Sequence, residues 1–357
     1  MRLIRACIDT QALRSNLAVL RARAPRSRIM AVVKANAYGH GLVPVALALG
    51  DADAFAVARI EEAAALRGAG VKQPIVLLEG VINAEQLAAA AELSLELVVH
   101  DALQIALLEG CRAAHRFTLW IKVDTGMNRL GLRVEDFAAA WQRLAALPVP
   151  PLGLRVLTHL ACADERSHAA NATQLERFAA LADRLGVERS IANSAAVLGL
   201  PQSHVEWVRP GLALYGLSPF AGQTGTAFGL SPVMTLESTV IAVRLVRRGE
   251  SVGYGAAWRA ERDSRVAILA GGYGDGLLRS LPNGAPVIIR GRRAPLAGRV
   301  SMDMIAVDVT DLPPVHPGER AELWGATLPV EEVAAVAGTL PYELVCGISQ
   351  RVPIELA

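Results

Sequence analysis

The sequence predicts an eight-stranded parallel (β/α)8 barrel over residues 1–228 followed by a mostly-β domain over residues 229–357. Three observations predict it. Eight short apolar runs recur along the first two-thirds of the chain, separated by Ala-, Leu- and Arg-rich segments of helical period. The first run is followed by KANAYGHG, not by the G-x-G-x-x-G turn that opens a doubly wound sheet. After about Leu230 the helical segments nearly stop, and β-branched runs punctuated by Gly and Pro take over.

Taken in order, the strands are Ile29–Val33, Ala54–Ala58, Pro74–Leu78, Leu95–Val99, Phe117–Val123, Leu154–His159, Ser190–Asn193 and Val205–Val208. The helices between them include Arg59–Gly68, Ala84–Glu92, Val134–Ala146 and Thr173–Leu185. Asn83 stands where an N-cap belongs, and Gly68 follows Arg67 as a stop signal. Eight such repeats in about 200 residues suit a closed barrel of the TIM type better than an open sheet. Beyond the uncharged stretch 218–232, the runs TLESTVIAV, RVAILAGGYG, APVIIRGRR and DMIAVDVT read as strands, with one late helix at Val330–Ala337.

Bulk properties exclude several classes. The formal net charge is +2, and the basic residues are scattered, so nothing favours nucleic acid or an anionic membrane. The N-terminus MRLIRACIDT carries charges inside its first apolar stretch and resembles neither a signal peptide nor a membrane helix. Cys7, Cys111, Cys162 and Cys346 form no CxxC pair, which fits free thiols in a cytoplasmic protein, and no residue set is assigned to a metal.

The chemistry is carried by scarcity and position. Of 36 basic residues only Lys34, Lys72 and Lys122 are lysine. Lysine can lose its proton and act as nucleophile or base, whereas arginine cannot. Lys72 lies in a polar turn and fits a surface charge. Lys34 ends the first strand, Lys122 and Asp124 the fifth, His159 the sixth, and Asn193 and Ser194 the seventh; Arg209 follows the eighth. Barrel active sites gather at these strand ends, although loops begin there too, so the set carries more weight than any one member. A lysine at a barrel mouth suits a Schiff base with a carbonyl. That carbonyl belongs either to a sugar or keto acid, as in aldolases, or to pyridoxal 5′-phosphate. The second case needs a phosphate cup, a partner for the pyridine nitrogen and a group against the ring. Ser194, Gly211 and Leu212 are placed for the cup, Arg209 for the nitrogen and His159 for the ring face. The alternatives are a helix-capping Ser194, a turn glycine at Gly211 and a core histidine at His159.

AVVKANAYGHG, KVDTGMNRLG, THLACAD, ANSAA, RPGLALYG, VGYGAAW, RVSMDM and LPYELVCGISQRVP, in this order across nearly the whole chain, resemble the bacterial alanine racemases. The resemblance implies a pyridoxal-phosphate-dependent isomerase that interconverts L- and D-alanine as a homodimer with active sites at the interface. It makes Lys34 the cofactor lysine and the base for the D-isomer. Tyr254 becomes the base for the L-isomer, reaching in from the other subunit. Tyr38, Ser194, Gly211, Leu212 and Tyr342 match phosphate-side positions. Arg209 matches the partner of the ring nitrogen, and His159 the ring-face residue. Arg129 and Met302 match substrate contacts, and Lys122 a lysine carbamylated in many members. One departure stands out: GYGDGLLR replaces the common GYADGYPR. Three rivals fit less well. A non-catalytic cofactor carrier lacks the second domain and Tyr254. A two-domain decarboxylase needs a poly-Gly phosphate loop. A cofactor-free aldolase leaves Arg209 and Tyr342 without a role.

Overall fold

The computed structural model describes residues 2–111 and 115–357. The first strand, β1 (Arg5–Ile8), precedes a helix, α1 (Thr10–Arg23), whose N-cap Asp9 accepts from the amides of Gln11 and Ala12 at 2.8 and 2.9 Å. Eight strands then close a parallel barrel: β2 (Arg28–Val32), β3 (Ala54–Val57), β4 (Ile75–Leu77), β5 (Glu96–Val99), β6 (Thr118–Lys122), β7 (Gly153–Leu157), β8 (Arg189–Ser190) and β9 (Trp207–Val208). β9 pairs back onto β2 through Arg28–Trp207 and Ile29–Val208, which completes the ring.

The strands obey the period of two. Met30, Val32, Ala54, Ala56, Val76, Val98, Trp120, Leu157 and Trp207 fill the barrel interior as one cluster, while their neighbours Ile29, Ala31, Phe55, Val57, Ile75, Leu77, Leu97, Val99, Leu119 and Ile121 pack outward under the helices. Asn83 caps its helix by accepting from Gln86 N–H at 2.8 Å, as its sequence position suggests. The last two barrel strands are shorter than their apolar runs. The chain leaves β8 at Ser190 so that Asn193 can cap the helix Ser194–Gly199, accepting from Ala196 at 3.0 Å.

The second unit is an antiparallel assembly built on the long strand β10 (Met234–Val246), which pairs along its length with three other strands. The sequence reading gave no strand at the N-terminus. In the structure β1 pairs antiparallel with β10 through Ala6–Leu236, and parallel with the C-terminal strand Ile354–Leu356. Only four residues long, β1 has no helix of its own before it, so the βα spacing that exposes the barrel strands gives it no signature. Two late helices, Val330–Ala337 and Pro341–Cys346, return the chain to the barrel mouth.

Candidate active site

Alternation along the barrel strands aims particular residues at one spot. Lys34 stands two residues beyond Val32, Lys122 two beyond Trp120, His159 two beyond Leu157 and Arg209 two beyond Trp207, and each of those four predecessors points into the barrel. The side chains therefore stack above the apolar interior at the C-terminal ends of the strands. A cavity of about 770 Å³ opens there, lined by Lys34, Tyr38, Lys122, Arg129, His159, Ser194, Arg209, Gly211, Leu212 and Tyr342 among others. Ten of the sequence-derived site residues thus share one cavity.

The segment carrying Lys34 is the most unusual backbone in the molecule. Ala35, Asn36, Ala37 and Tyr38 all have φ of 53–54°, a run of left-handed turn made without glycine. Each such residue costs roughly 1–2 kcal/mol. The run places the Lys34 amine and the Tyr38 ring on the same cavity, and Tyr38 packs against Tyr215 and Tyr342 with ring centroids 4.9 and 6.0 Å away. Gly211 is explained here by space. A Cβ on it would stand 2.4 Å from Tyr38 Oη, so only glycine lets the phenol reach its position. Its amide N–H donates to Ser194 Oγ at 2.9 Å, as does Ala213 N–H at 3.2 Å. The Ser194 hydroxyl thus ties the helix start to the loop after β9, and its own proton is left to donate into the cavity. Gly211, placed by the sequence for the phosphate cup, directs its N–H at Ser194 Oγ in this structure.

Charge at this mouth is unbalanced. Among the described residues no carboxylate lies within 4.0 Å of Lys34, Lys122, Arg129 or Arg209. Arg209, 5% exposed, is held instead by neutral acceptors: Ser190 Oγ and the Thr158 carbonyl at 2.6 Å each, and the Ile191 carbonyl at 3.2 Å. Burial lowers its pKa to about 10. Lys122 is lowered to about 8, first by burial and then by Arg209, Arg129 and Lys34. His159 lies with Nδ1 3.4 Å from Arg209 Nη2, and burial with the same cations holds it well below the usual imidazole range. It is a neutral ring at physiological pH. The wall also carries Glu79 and Asp164, but four basic groups and a neutral imidazole gathered at the strand ends suit an anionic ligand with an aromatic or planar body.

Two sequence-derived residues lie elsewhere. Tyr254 sits in a short turn between Gly253 and Gly255, is 67% exposed and does not line the cavity. Met302, 52% exposed, lies on a loop pinned by Gly274 N–H donating to its carbonyl at 2.9 Å. Sequence reasoning did not single out Asp164 and Cys346, which join the cavity wall, the latter from the returning helix Pro341–Cys346.

Fold and cavity define a class: a closed parallel barrel with a lysine at its mouth, in a cavity whose wall is joined by a helix of the β-rich second unit. The chain belongs to the alanine racemase family. The model of the alanine racemase N-terminal domain matches residues 8–219 and that of the C-terminal domain residues 233–356. It is 48% identical over 338 residues to an alanine racemase of Vibrio vulnificus, covering 95% of this chain and 94% of that one. It is 49% identical to one of Stutzerimonas stutzeri over 340 residues, with 95% and 94% covered. The crystal structure of biosynthetic alanine racemase from Pseudomonas aeruginosa superposes with a TM-score of 0.96 over 100% of both chains at 46% identity. An alanine racemase from Bartonella henselae, solved with covalently bound pyridoxal phosphate, superposes at 0.89 with 31% identity, again over 100% of both chains.

Proposed function

We propose that this protein interconverts L- and D-alanine with pyridoxal 5′-phosphate held on Lys34, using a second proton-transfer group, Tyr254, from another copy of the chain. The observation that carries the reading is the cluster of four basic groups that includes Lys34, none of them ion-paired among the described residues, which suits the negative charge that a phosphate and a phenolic oxygen bring. Tyr38, Ser194, Leu212 and Tyr342 are the residues for the phosphate side, with Gly211 clearing the space. Arg209 is the residue for the ring nitrogen, and His159 for a ring face. When bound, the cofactor supplies an electron sink that makes the α-hydrogen of an attached amino acid acidic.

The residues supply the stereochemistry. Inversion at the α-carbon requires a proton to leave one face and another to arrive on the opposite face. Lys34 would hold the cofactor, and its Nζ would hold the proton for the D-isomer. Tyr254 Oη holds it for the L-isomer. Its exposure on one chain fits a group that completes a neighbour's site, and the reading requires a homodimer. Arg129 and the Met302 amide N–H orient the substrate carboxylate. Arg209, a cation that only donates, would face the ring nitrogen and would disfavour a proton on it. That would moderate the electron sink and limit side reactions.

Lys122, drawn down to about 8, is partly neutral at physiological pH and is the amine here best suited to add CO2. The neutral amine's nitrogen would bond the carbon and release one proton; with the proton already lost from the ammonium, a cation becomes an anion beside Arg129. A cytoplasmic location belongs to the same reading, in keeping with the free thiols of Cys7, Cys162 and Cys346. Among the described residues no helix is long and apolar enough to cross a membrane.

The test is a chiral assay with L-alanine and with D-alanine. The chain should form the opposite isomer from either when supplied with pyridoxal phosphate. Tyr254→Phe should lower racemisation in both directions by on the order of a hundredfold or more, while exchange of the α-hydrogen with deuterated solvent is lost from L-alanine and persists from D-alanine. Undiminished exchange from L-alanine, or no loss of racemisation, would remove Tyr254 from its role.

A further inference from the structure

We propose that Glu62 and His40 are positioning residues that clamp the two ends of the left-handed turn Lys34–Tyr38, and thereby fix the offset between the Lys34 amine and the Tyr38 hydroxyl. The proposal rests on the cofactor reading above and adds what keeps that site in register.

The turn brings two functional groups onto one cavity through backbone that L-residues avoid, so something must hold it there. At the Lys34 end, one carboxylate does so. Glu62 accepts from Ala35 N–H at 2.6 Å, Ala58 N–H at 3.0 Å and Arg59 N–H at 3.2 Å. It thereby joins the amide next to Lys34 to the end of β3 and the start of the helix Ile60–Gly68. Three donors on one carboxyl group are a strong tether.

At the Tyr38 end stands His40, with no solvent exposure. Its Nδ1 lies 2.8 Å from the Tyr38 carbonyl. A carbonyl only accepts, so Nδ1 carries the proton. Nε2 is then an acceptor, and it is buried with no donor among the described residues. Burying an imidazole with one nitrogen unsatisfied costs stability, whereas an apolar ring would fill the space without that cost. The ring also stacks on Tyr215 with centroids 4.6 Å apart. Tyr215 in turn packs on the Tyr38 ring and donates its hydroxyl to the Val32 carbonyl at 3.0 Å. His40 therefore grips Tyr38 twice, directly at its carbonyl and through Tyr215 at its ring. Neither Glu62 nor His40 lines the cavity, so both act through the turn.

The experiment compares pyridoxal phosphate binding by the wild-type chain, His40→Phe, His40→Asn and Glu62→Ala. Visible absorbance gives affinity, peptide mass after borohydride reduction gives covalent labelling of Lys34, and the thermal midpoint without cofactor monitors the fold. His40→Phe keeps a ring but leaves the Tyr38 carbonyl without its donor. Affinity should fall about tenfold, the weight of one lost buried hydrogen bond. His40→Asn restores a donor near the Nδ1 position and should recover most of that loss. Glu62→Ala should weaken binding at least as much, because three amides lose their acceptor. Wild-type affinity in His40→Phe, or equal weakness of His40→Phe and His40→Asn, overturns the clamp. Should His40→Phe fail to fold, Glu62→Ala decides: unchanged affinity and labelling overturn it. A wild-type chain whose Lys34 takes up no label would instead overturn the cofactor reading, and the clamp with it.

Discussion

The two ends of the barrel treat charge in opposite ways. At the floor, Arg155 pairs with Glu96 at 2.9 Å and Glu188 at 2.7 Å, Arg28 also pairs with Glu188, and both indoles donate: Trp120 to Glu96 at 2.7 Å and Trp207 to Glu188 at 2.9 Å. Arg28 and Arg155 stack on the Trp207 ring at 4.2 and 5.5 Å. The charged groups named there have opposite charges or a ring against them. At the mouth, one barrel layer away along the same strands, four cations share a cavity without an ion pair, and the chain runs left-handed for four residues. The floor is built to be stable as it stands. The mouth leaves its basic groups without an ion pair among the described residues, and its left-handed turn is held by the hydrogen bonds of Glu62 and His40.

That contrast is broken most directly by removing one residue from each end. Lys34→Ala should cut racemisation by at least about a thousandfold, since on the proposed function it removes both the cofactor tether and a proton-transfer group. It should leave the unfolding midpoint of the cofactor-free protein unchanged or raised, because one of four mutually repelling cations is gone. A large loss of stability would mean that the mouth, like the floor, is structurally self-sufficient. Arg155→Ala should do the reverse. It strands Glu96 and Glu188 without their shared cation and takes away the guanidinium between the indoles. Unfolding by urea should show a loss of about 3 kcal/mol. Turnover per folded molecule should stay near wild type. A selective drop in turnover would show that the floor tunes the site through the strands.

The same contrast explains what could be read from the sequence. Barrel strands announce themselves as apolar runs spaced by helices, and the mouth residues follow because each run ends in a polar group. Lys34, Lys122, His159 and Arg209 were legible for that reason. The floor was not. Glu96, Arg155 and Trp207 lie inside or beside apolar runs, and only the closed ring brings them together. The left-handed turn was also hidden, since KANAY contains no glycine to mark positive φ. Glu62 reads as an ordinary helical acid and β1 as an isolated apolar scrap. Both acquire meaning from partners 27 or more residues distant, such as Ala35 for Glu62 and Glu237 for Arg5. Tyr254 is the converse case. Its motif is legible in the sequence, but it does not line the cavity of its own chain, and the role proposed for it requires a second chain.

The smallest expected effect sharpens the comparison through pH. Lys122 has a folded-state pKa of about 8 against 10.5 for the free side chain. Below pH 8 it is charged in both states, and the folded protein bears the full cost of burying that charge. Between pH 8 and 10.5 the unfolded chain binds more protons than the folded one, so stability rises with pH and the cost disappears. Lys122→Met removes the charge at every pH. In CO2-free buffer it should stabilise the cofactor-free protein at pH 7 by about 1–3 kcal/mol, and the advantage should shrink steadily as the pH approaches 10.5. Denaturant midpoints of the two proteins across this range make the comparison, with other titrating groups cancelling in the difference. A constant advantage would mean that burial of the methionine side chain, not relief of charge, is responsible. No advantage at pH 7 would mean that the mouth already holds the compensating anion, with Lys122 carbamylated in the protein as isolated.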